Sequence, residues 1–213
     1  MLIMSKTTKL NEEQLMYQLR GQMNTEARFK LHMTQEQAYT LLKCCYRAEV
    51  ESRNRNWVCD EQTERVLNDV AEWSTDGNGK FGLMLCGNVG NGKTTMLNAI
   101  VRAVRYMREG LRIEDATTIA QVIKDPVEFG TIRAVKHLGI DDMGVEPLEV
   151  LDYGNVIYPM VELINYRYSR QLLTIITTNL TPKQIREKYG DRIADRFNEM
   201  MHRVIFTNET YRK

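Results

Sequence analysis

The run Gly87-Asn88-Val89-Gly90-Asn91-Gly92-Lys93-Thr94-Thr95 fits the pattern G-x-x-x-x-G-K-S/T, a spacing suited to wrapping backbone around an anion. Glycines at Gly87 and Gly92 let amide N–H groups crowd a phosphate with no Cβ in the way. A helix starting there would aim the positive end of its dipole at the same anion. In that arrangement the Lys93 ammonium reaches β- and γ-phosphates and the Thr94 hydroxyl holds Mg²⁺. About 50 residues downstream, Leu138-Gly139-Ile140-Asp141-Asp142 is an apolar run ending in two acids. The first suits a metal held through water and the second an attacking water, giving Asp141 a metal role and Asp142 a catalytic one. The competing reading is that either acid only caps the following loop. Asn179 closes another apolar run and could contact a γ-phosphate or its water, or make local backbone bonds.

Other phosphate chemistries fit less well. Asp141-x-x-Gly144 matches the D-x-x-G element of GTPases, but the guanine-reading N-K-x-D pattern is absent, because Asn179 is followed by Leu180. Small-molecule kinases share Gly87-x-x-Gly90-x-Gly92-Lys93, yet a double acid at a strand tip argues for water as nucleophile. Two functions from different classes lead, a triphosphate hydrolase and a nucleotide-gated adaptor with negligible hydrolysis, with a metabolite kinase third.

These residues need strands and helices to position them. Residues 80–86 read as a buried strand, and the apolar residues of 94–109 repeat at helical spacing, with Gly110 set to end the helix. Upstream, Asn11, Thr34 and Asp60 each begin a helix, and residues 75–79 form a linker. Downstream come a short strand at 111–113, helices at 116–124 and 127–133, and a strand at 134–140 predicted to lie next to the P-loop strand. A helix over 159–170, a strand over 172–178 and a helix opened by Thr181-Pro182-Lys183-Gln184 complete the pattern. Alternation of this kind predicts an α/β fold: a parallel sheet with helices on both faces and its ligand at the carboxyl ends of the strands. The chain divides into a helical extension, residues 1–76, which could touch a partner or DNA, and a core, residues 77–213.

Composition narrows the setting. The 213 residues carry a net charge of +1, so any contact with nucleic acid must come from a local patch. Arg102, Arg105, Arg108 and Arg112 recur every three or four residues, and residues 181–213 hold eight basic against five acidic side chains. Either set could track a phosphate backbone or be a solvated face. Cys44, Cys45, Cys59 and Cys86 form no C-x-x-C pair, which indicates reduced thiols and a cytoplasmic setting. The apolar start, residues 1–4, is too short for a signal peptide, and no segment is apolar enough for a membrane span.

Taken together, the motifs resemble the DnaC/IstB branch of AAA+ ATPases, the helicase loaders and transposition helper ATPases. Gly87 to Thr95, Ile140-Asp141-Asp142-Met143-Gly144, Thr177-Thr178-Asn179-Leu180 and Tyr189-Gly190-Asp191-Arg192-Ile193-Ala194-Asp195-Arg196-Phe197 match that family's Walker A, Walker B, sensor 1 and arginine-finger segments in order, over roughly residues 78–207. Ala48-Glu49-Val50-Glu51-Ser52-Arg53 is similar to the stretch preceding the family's core. The resemblance implies a RecA-like three-layer AAA+ P-loop NTPase fold with no C-terminal lid, ATP with Mg²⁺, and hydrolysis at an interface between subunits. It makes Arg196 the finger reaching a neighbour's γ-phosphate, with Arg192 the other candidate. The plain alternative for both is a surface pair with Asp191, Asp195 or Glu199. It further implies self-association through that face, a role in DNA replication or transposition, a replicative helicase or a transposase as partner, and single-stranded DNA near the helices at 116–133. Tyr211-Arg212 is similar to a family ending that senses nucleotide. The N-terminal part lacks the zinc-binding cysteines of some loaders, so its partner cannot be inherited from them. The Leu15, Met16 and Leu19 face could dock on a partner or pack within the chain.

Overall fold

A computed structural model describes residues 11–22, 28–77 and 79–207; the features noted at residues 1–4, at Asn78 and at Tyr211 and Arg212 lie outside the described residues. Three helices come first, α1 (Glu12–Gln22), α2 (Gln35–Glu51) and α3 (Glu61–Thr75). Each starts at its expected cap. Asn11 Oδ1 accepts the Glu13 N–H at 3.0 Å, and Asp60 Oδ1 accepts the Thr63 N–H at 2.8 Å. Thr34 and Gln37 each accept the other's backbone N–H, at 3.2 and 3.0 Å. Such caps satisfy N–H groups that the helix leaves unpaired and contribute about 1 kcal/mol each. Leu15, Met16 and Leu19 of α1 are exposed rather than packed.

The alternating part then runs β1 (Gly82–Gly87), α4 (Lys93–Tyr106), β2 (Arg112–Asp115), α5 (Ala116–Val122), α6 (Pro126–Ala134) and β3 (His137–Met143). It continues through β4 (Val150–Asp152), β5 (Asn155–Ile157), α7 (Pro159–Ser169), β6 (Leu173–Thr178), α8 (Pro182–Tyr189), α9 (Asp191–Met200) and β7 (Met201–Phe206). Five strands form one parallel sheet in the order β2-β3-β6-β1-β7, while β4 and β5 make a separate antiparallel hairpin.

Alternation of side chains along the strands divides the interior into two cores. Leu83 and Leu85 of β1, Leu173 and Ile175 of β6, and Val204 and Phe206 of β7 face α2, α3 and α4. Met84, Leu138, Ile140, Ile176 and Met201 face α5 through α9. The result is three layers, with α2 and α3 sharing one core with the P-loop helix α4. Gly139 faces the α4 side, where an added Cβ would lie 3.0 Å from Leu97 Cδ1; the missing side chain lets that helix settle on β3.

Three sequence expectations need correction. The acid-bearing strand β3 does not adjoin β1; β6 lies between them, paired to both. All six residues of β6 are buried, which the central position of a parallel sheet demands and which its run of Leu, Thr and Ile satisfies. Helix α4 stops earlier than Gly110: Arg108, at φ 61°, takes the left-handed cap position. Its N–H bonds Arg105 O at 2.9 Å and the Glu109 N–H bonds Val104 O at 3.1 Å, which closes the last turn before the glycine is reached. Strand β7 and the β4–β5 hairpin were not anticipated at all.

Among the described residues one cation is wholly buried. Arg167 of α7 donates from Nη1 to Arg133 O at 3.1 Å and Val135 O at 2.8 Å, from Nε to Thr174 Oγ1 at 2.8 Å, and from Nη2 to Leu173 O. Burial pulls its pKa down to about 9, which leaves it charged at neutral pH. It ties the α6–β3 connection to β6. Replacing it with methionine keeps much of the volume but strands three buried carbonyls, so Arg167→Met should lower the unfolding free energy by about 3 kcal/mol in urea titrations. An unchanged midpoint would mean that water replaces the guanidinium without cost.

Candidate functional site

The carboxyl ends of β1, β6 and β3 lie side by side and bring the candidate residues together. Between β1 and α4 the P-loop turns through three left-handed glycines, with φ 151° at Gly87, 84° at Gly90 and 98° at Gly92. A side chain at Gly87 would collide with the Asn91 amide and Phe206 O, and one at Gly92 with the Tyr46 hydroxyl. Both positions therefore demand glycine twice over, for conformation and for space. Asn88 and Val89 form the exposed tip of the loop. Asn91 is buried and donates its Nδ2–H to Phe206 O at 3.1 Å, fastening the loop to β7.

Lys93 opens α4 and turns its ammonium back under the loop. Nζ donates to Gly87 O at 2.7 Å, to Asn88 O at 2.6 Å and to Asn91 Oδ1 at 3.3 Å. The charge thus sits where an anion cradled by the loop amides would meet it. Cys86, next to the loop, is a free thiol, and burial pushes its pKa up, opposed by Arg203 and Lys93.

The neighbouring residue reaches the acid pair. Thr94 Oγ1 donates to Asp141 Oδ1 at 3.1 Å, and Thr177 Oγ1 donates to the same oxygen at 2.5 Å. Thr177 in turn accepts the Asp142 N–H at 2.8 Å, so one hydroxyl on the intervening strand is bonded to both acids. Sequence reasoning included Thr177 only as part of a motif and gave it no role. A bulge accounts for two consecutive acids at one strand end: pairing passes from Ile140↔Ile176 to Met143↔Thr178, three steps on β3 against two on β6. Asp142 takes up the extra residue at φ 52°, a left-handed conformation that aspartate tolerates better than most. Asn179 follows β6 directly and is exposed at the same end of the sheet.

The donor set at Thr94 and Asp141 is all oxygen, one hydroxyl and one carboxylate, which fits Mg²⁺ carried mostly by phosphate and water. Among the described residues no group of three or more His, Cys, Asp or Glu could hold a metal unaided.

Around this centre the arrangement is mixed. Thr95 Oγ1 lies 3.4 Å from Arg53 Nη1, so the stretch at residues 48–53 touches the P-loop. Glu49 of that stretch holds Arg102 of α4, while Arg112 is held by Glu114 and Glu128 at 2.6 Å each. Two members of the predicted arginine row are thereby engaged with acids, and the other two, Arg105 and Arg108, are exposed.

Arg192 and Arg196 lie on α9, in the layer across the sheet from α4. Their own helix's acids are engaged elsewhere: Asp191 and Asp195 with Arg186, and Glu199 with the Tyr168 hydroxyl. Arg196 bonds Asn165 Oδ1 and stacks on the Tyr168 ring at 4.7 Å. Arg192 is exposed and makes no salt bridge with any described residue.

No family model matches the sequence, and no curated protein matches it. Solved structures do match in fold. A crystal structure of the DnaC helicase loader is 22% identical with a TM-score of 0.58, covering 77% of this chain and 99% of that one. A DnaI structure is 20% identical with a TM-score of 0.61, covering 86% and 96%. DnaA from Aquifex aeolicus, bound to AMPPCP, is 18% identical with a TM-score of 0.52, over 70% of this chain and 48% of that one. The chain therefore shares the fold of these structures, five parallel strands with helices on both faces, as the alternation of its elements predicted. Among the described residues no helix is long and apolar enough to cross a membrane.

Proposed function

We propose that this chain binds Mg·ATP on residues 87–95 and hydrolyses it slowly, as a self-assembling AAA+ ATPase that acts on DNA or a DNA-bound protein in replication or transposition. The observation that carries the reading is the 3.1 Å contact of Thr94 Oγ1 with Asp141 Oδ1. It brings the two oxygens suited to Mg²⁺ to the mouth of a loop whose amides and buried ammonium suit a triphosphate. Likeness in fold to structures of a helicase loader, and of a DnaA bound to a nucleotide analogue, supports the same direction.

Each residue then has a task. The loop amides and Lys93 orient the β- and γ-phosphates, with the ammonium exchanging its carbonyl partners for phosphoryl oxygens. Magnesium, held by Thr94 and Asp141, would neutralise charge on those oxygens. Asp142 orients the attacking water and takes its proton, and Asn179 steadies that water or the γ-phosphate. Neither arginine of α9 shares the layer of its own P-loop helix, so the finger comes from a second copy. Arg192, exposed and unpaired with the described acids, suits insertion into a neighbour better than Arg196, whose guanidinium is already held by Asn165 and Tyr168.

Mixing separates these roles. Protomers with Arg192→Ala and protomers with Lys93→Ala should each be inactive alone, yet regain phosphate release when combined, because one supplies the bound nucleotide and the other the finger. Absence of recovery, with full activity in the Arg192 variant alone, removes the trans mechanism for that residue. Turnover measured with and without single-stranded DNA tests the remainder: tight ATP binding with an unstimulated, near-zero rate would assign the chain as a nucleotide-gated adaptor.

A further inference from the structure

A buried carboxylate lies four residues beyond Asp142, outside the groups assigned to nucleotide. The side chain of Glu146 has no exposed surface. Its Oε2 accepts the Gly144 N–H at 2.7 Å, and its Oε1 accepts the Tyr189 hydroxyl. Lys188 closes the arrangement by donating from Nζ to the carbonyls of Gly144 and Glu146, both at 2.7 Å, with Oε1 at 3.8 Å. A buried acid is costly unless bonded, and this one is bonded on both oxygens. Burial, and then the bond to Glu146, pushes the Tyr189 pKa far up, so the phenol remains a donor throughout the working range.

The two ends of this clasp belong to different parts of the machinery. At one end is the Asp142 turn. Its left-handed residue is fixed by an N–H bond to Thr177 at 2.8 Å and by a carbonyl that accepts the Val145 N–H at 3.3 Å. At the other end, Lys188 and Tyr189 are the last residues of α8, and Gly190, at φ 85°, leads straight into α9 with Arg192 and Arg196. The Leu180 side chain, just past Asn179, packs over Gly144 so closely that a Cβ there would fall 2.7 Å from Leu180 Cδ1. Direct contacts therefore join the acid turn to the end of β6 and to the start of α9.

We infer that Glu146 is a positioning residue, a buried carboxylate through which the turn bearing Asp142 and the arginine-bearing helix α9 move as one unit. The inference rests on the nucleotide-binding reading above. It assigns Glu146 to turnover and to α9, not to nucleotide affinity. Rearrangement of the Asp142 turn when a γ-phosphate binds is passed through Glu146 to Tyr189 and on to the start of α9, which sets the finger presented to a neighbour.

Hydrogen exchange with the analogue Mg·AMPPCP tests this without relying on hydrolysis. In the unmodified chain, residues 87–95 should gain protection and residues 190–197 should change as well. In Glu146→Gln the first change should persist and the second vanish, with kcat lowered about tenfold and the Kd for Mg·ATP within about twofold. Tyr189→Phe, which removes a single hydroxyl, should act in the same direction and serves if Glu146→Gln does not fold. Protection at residues 87–95 with no change at 190–197 in the unmodified chain, or with the change retained in both variants, overturns the inference and leaves the nucleotide site intact. No protection at residues 87–95 overturns the nucleotide-binding reading, and the inference falls with it.

Discussion

Lys93→Ala should abolish measurable binding of Mg·ATP while leaving the chain folded. A charge-assisted hydrogen bond contributes roughly 1.5–3 kcal/mol, and the ammonium would make two of them to the phosphates, so about 3–6 kcal/mol disappears, or roughly 10²–10⁴-fold in Kd. The substitution also releases Gly87 O, Asn88 O and Asn91 Oδ1, which the ammonium draws together beneath the loop. Gly87 is half-buried and Asn88 exposed, so water can take over their carbonyls, and the buried Asn91 keeps its bond to Phe206 O, so the stability of the whole chain falls only modestly. Isothermal titration with Mg·ATP reads the first effect and thermal melting the second. Binding of ordinary strength by a folded Lys93→Ala protein would leave the P-loop without its proposed ligand.

Asp142→Asn should separate binding from chemistry. Asparagine has nearly the same shape and shares aspartate's tolerance for the left-handed conformation, so the N–H bond to Thr177 and the bulge survive. What is lost is the negative charge proposed to accept the water's proton. General-base assistance contributes typically 10²–10⁴-fold, so single-turnover phosphate release should fall roughly 10²–10³-fold, with the Kd for Mg·ATP within about twofold. Release at the unmodified rate would reduce Asp142 to capping the loop that follows it.

The parts of this site that could be read in the sequence are those whose chemistry fixes both residue type and spacing. Gly87, Gly92, Lys93 and Thr94 must stand where they do for a loop to hold phosphate, and the flanking strand and helix carry their own local patterns. Strand order has no such local signature. The run containing Thr177 announces a buried strand but not its neighbours, so β6 was not foreseen between β1 and β3. Thr177 itself looks like one more β-branched residue, although its hydroxyl bonds both acids. Strand β7 was hidden because it follows α9 with no turn residue between and because Ile205, an apolar residue, points outward. Glu146 reads as a surface acid, since its burial depends on Lys188 and Tyr189 more than 40 positions away. The arginines of α9 are legible only through resemblance, because their proposed target lies on another molecule.

The bond from Asn91 to Phe206 O spans 115 residues, and it dictates when the P-loop can be fastened during synthesis. As the chain leaves the ribosome, β1, α4 and the acid-bearing strand are all made before the segment that locks the loop's far wall. Closing so distant a contact is entropically expensive and slow. Until it forms, β1 remains an open sheet edge able to pair with other chains. The loop proposed to hold triphosphate is therefore completed only once Phe206 has been made, later than the surfaces built from α5 to α9.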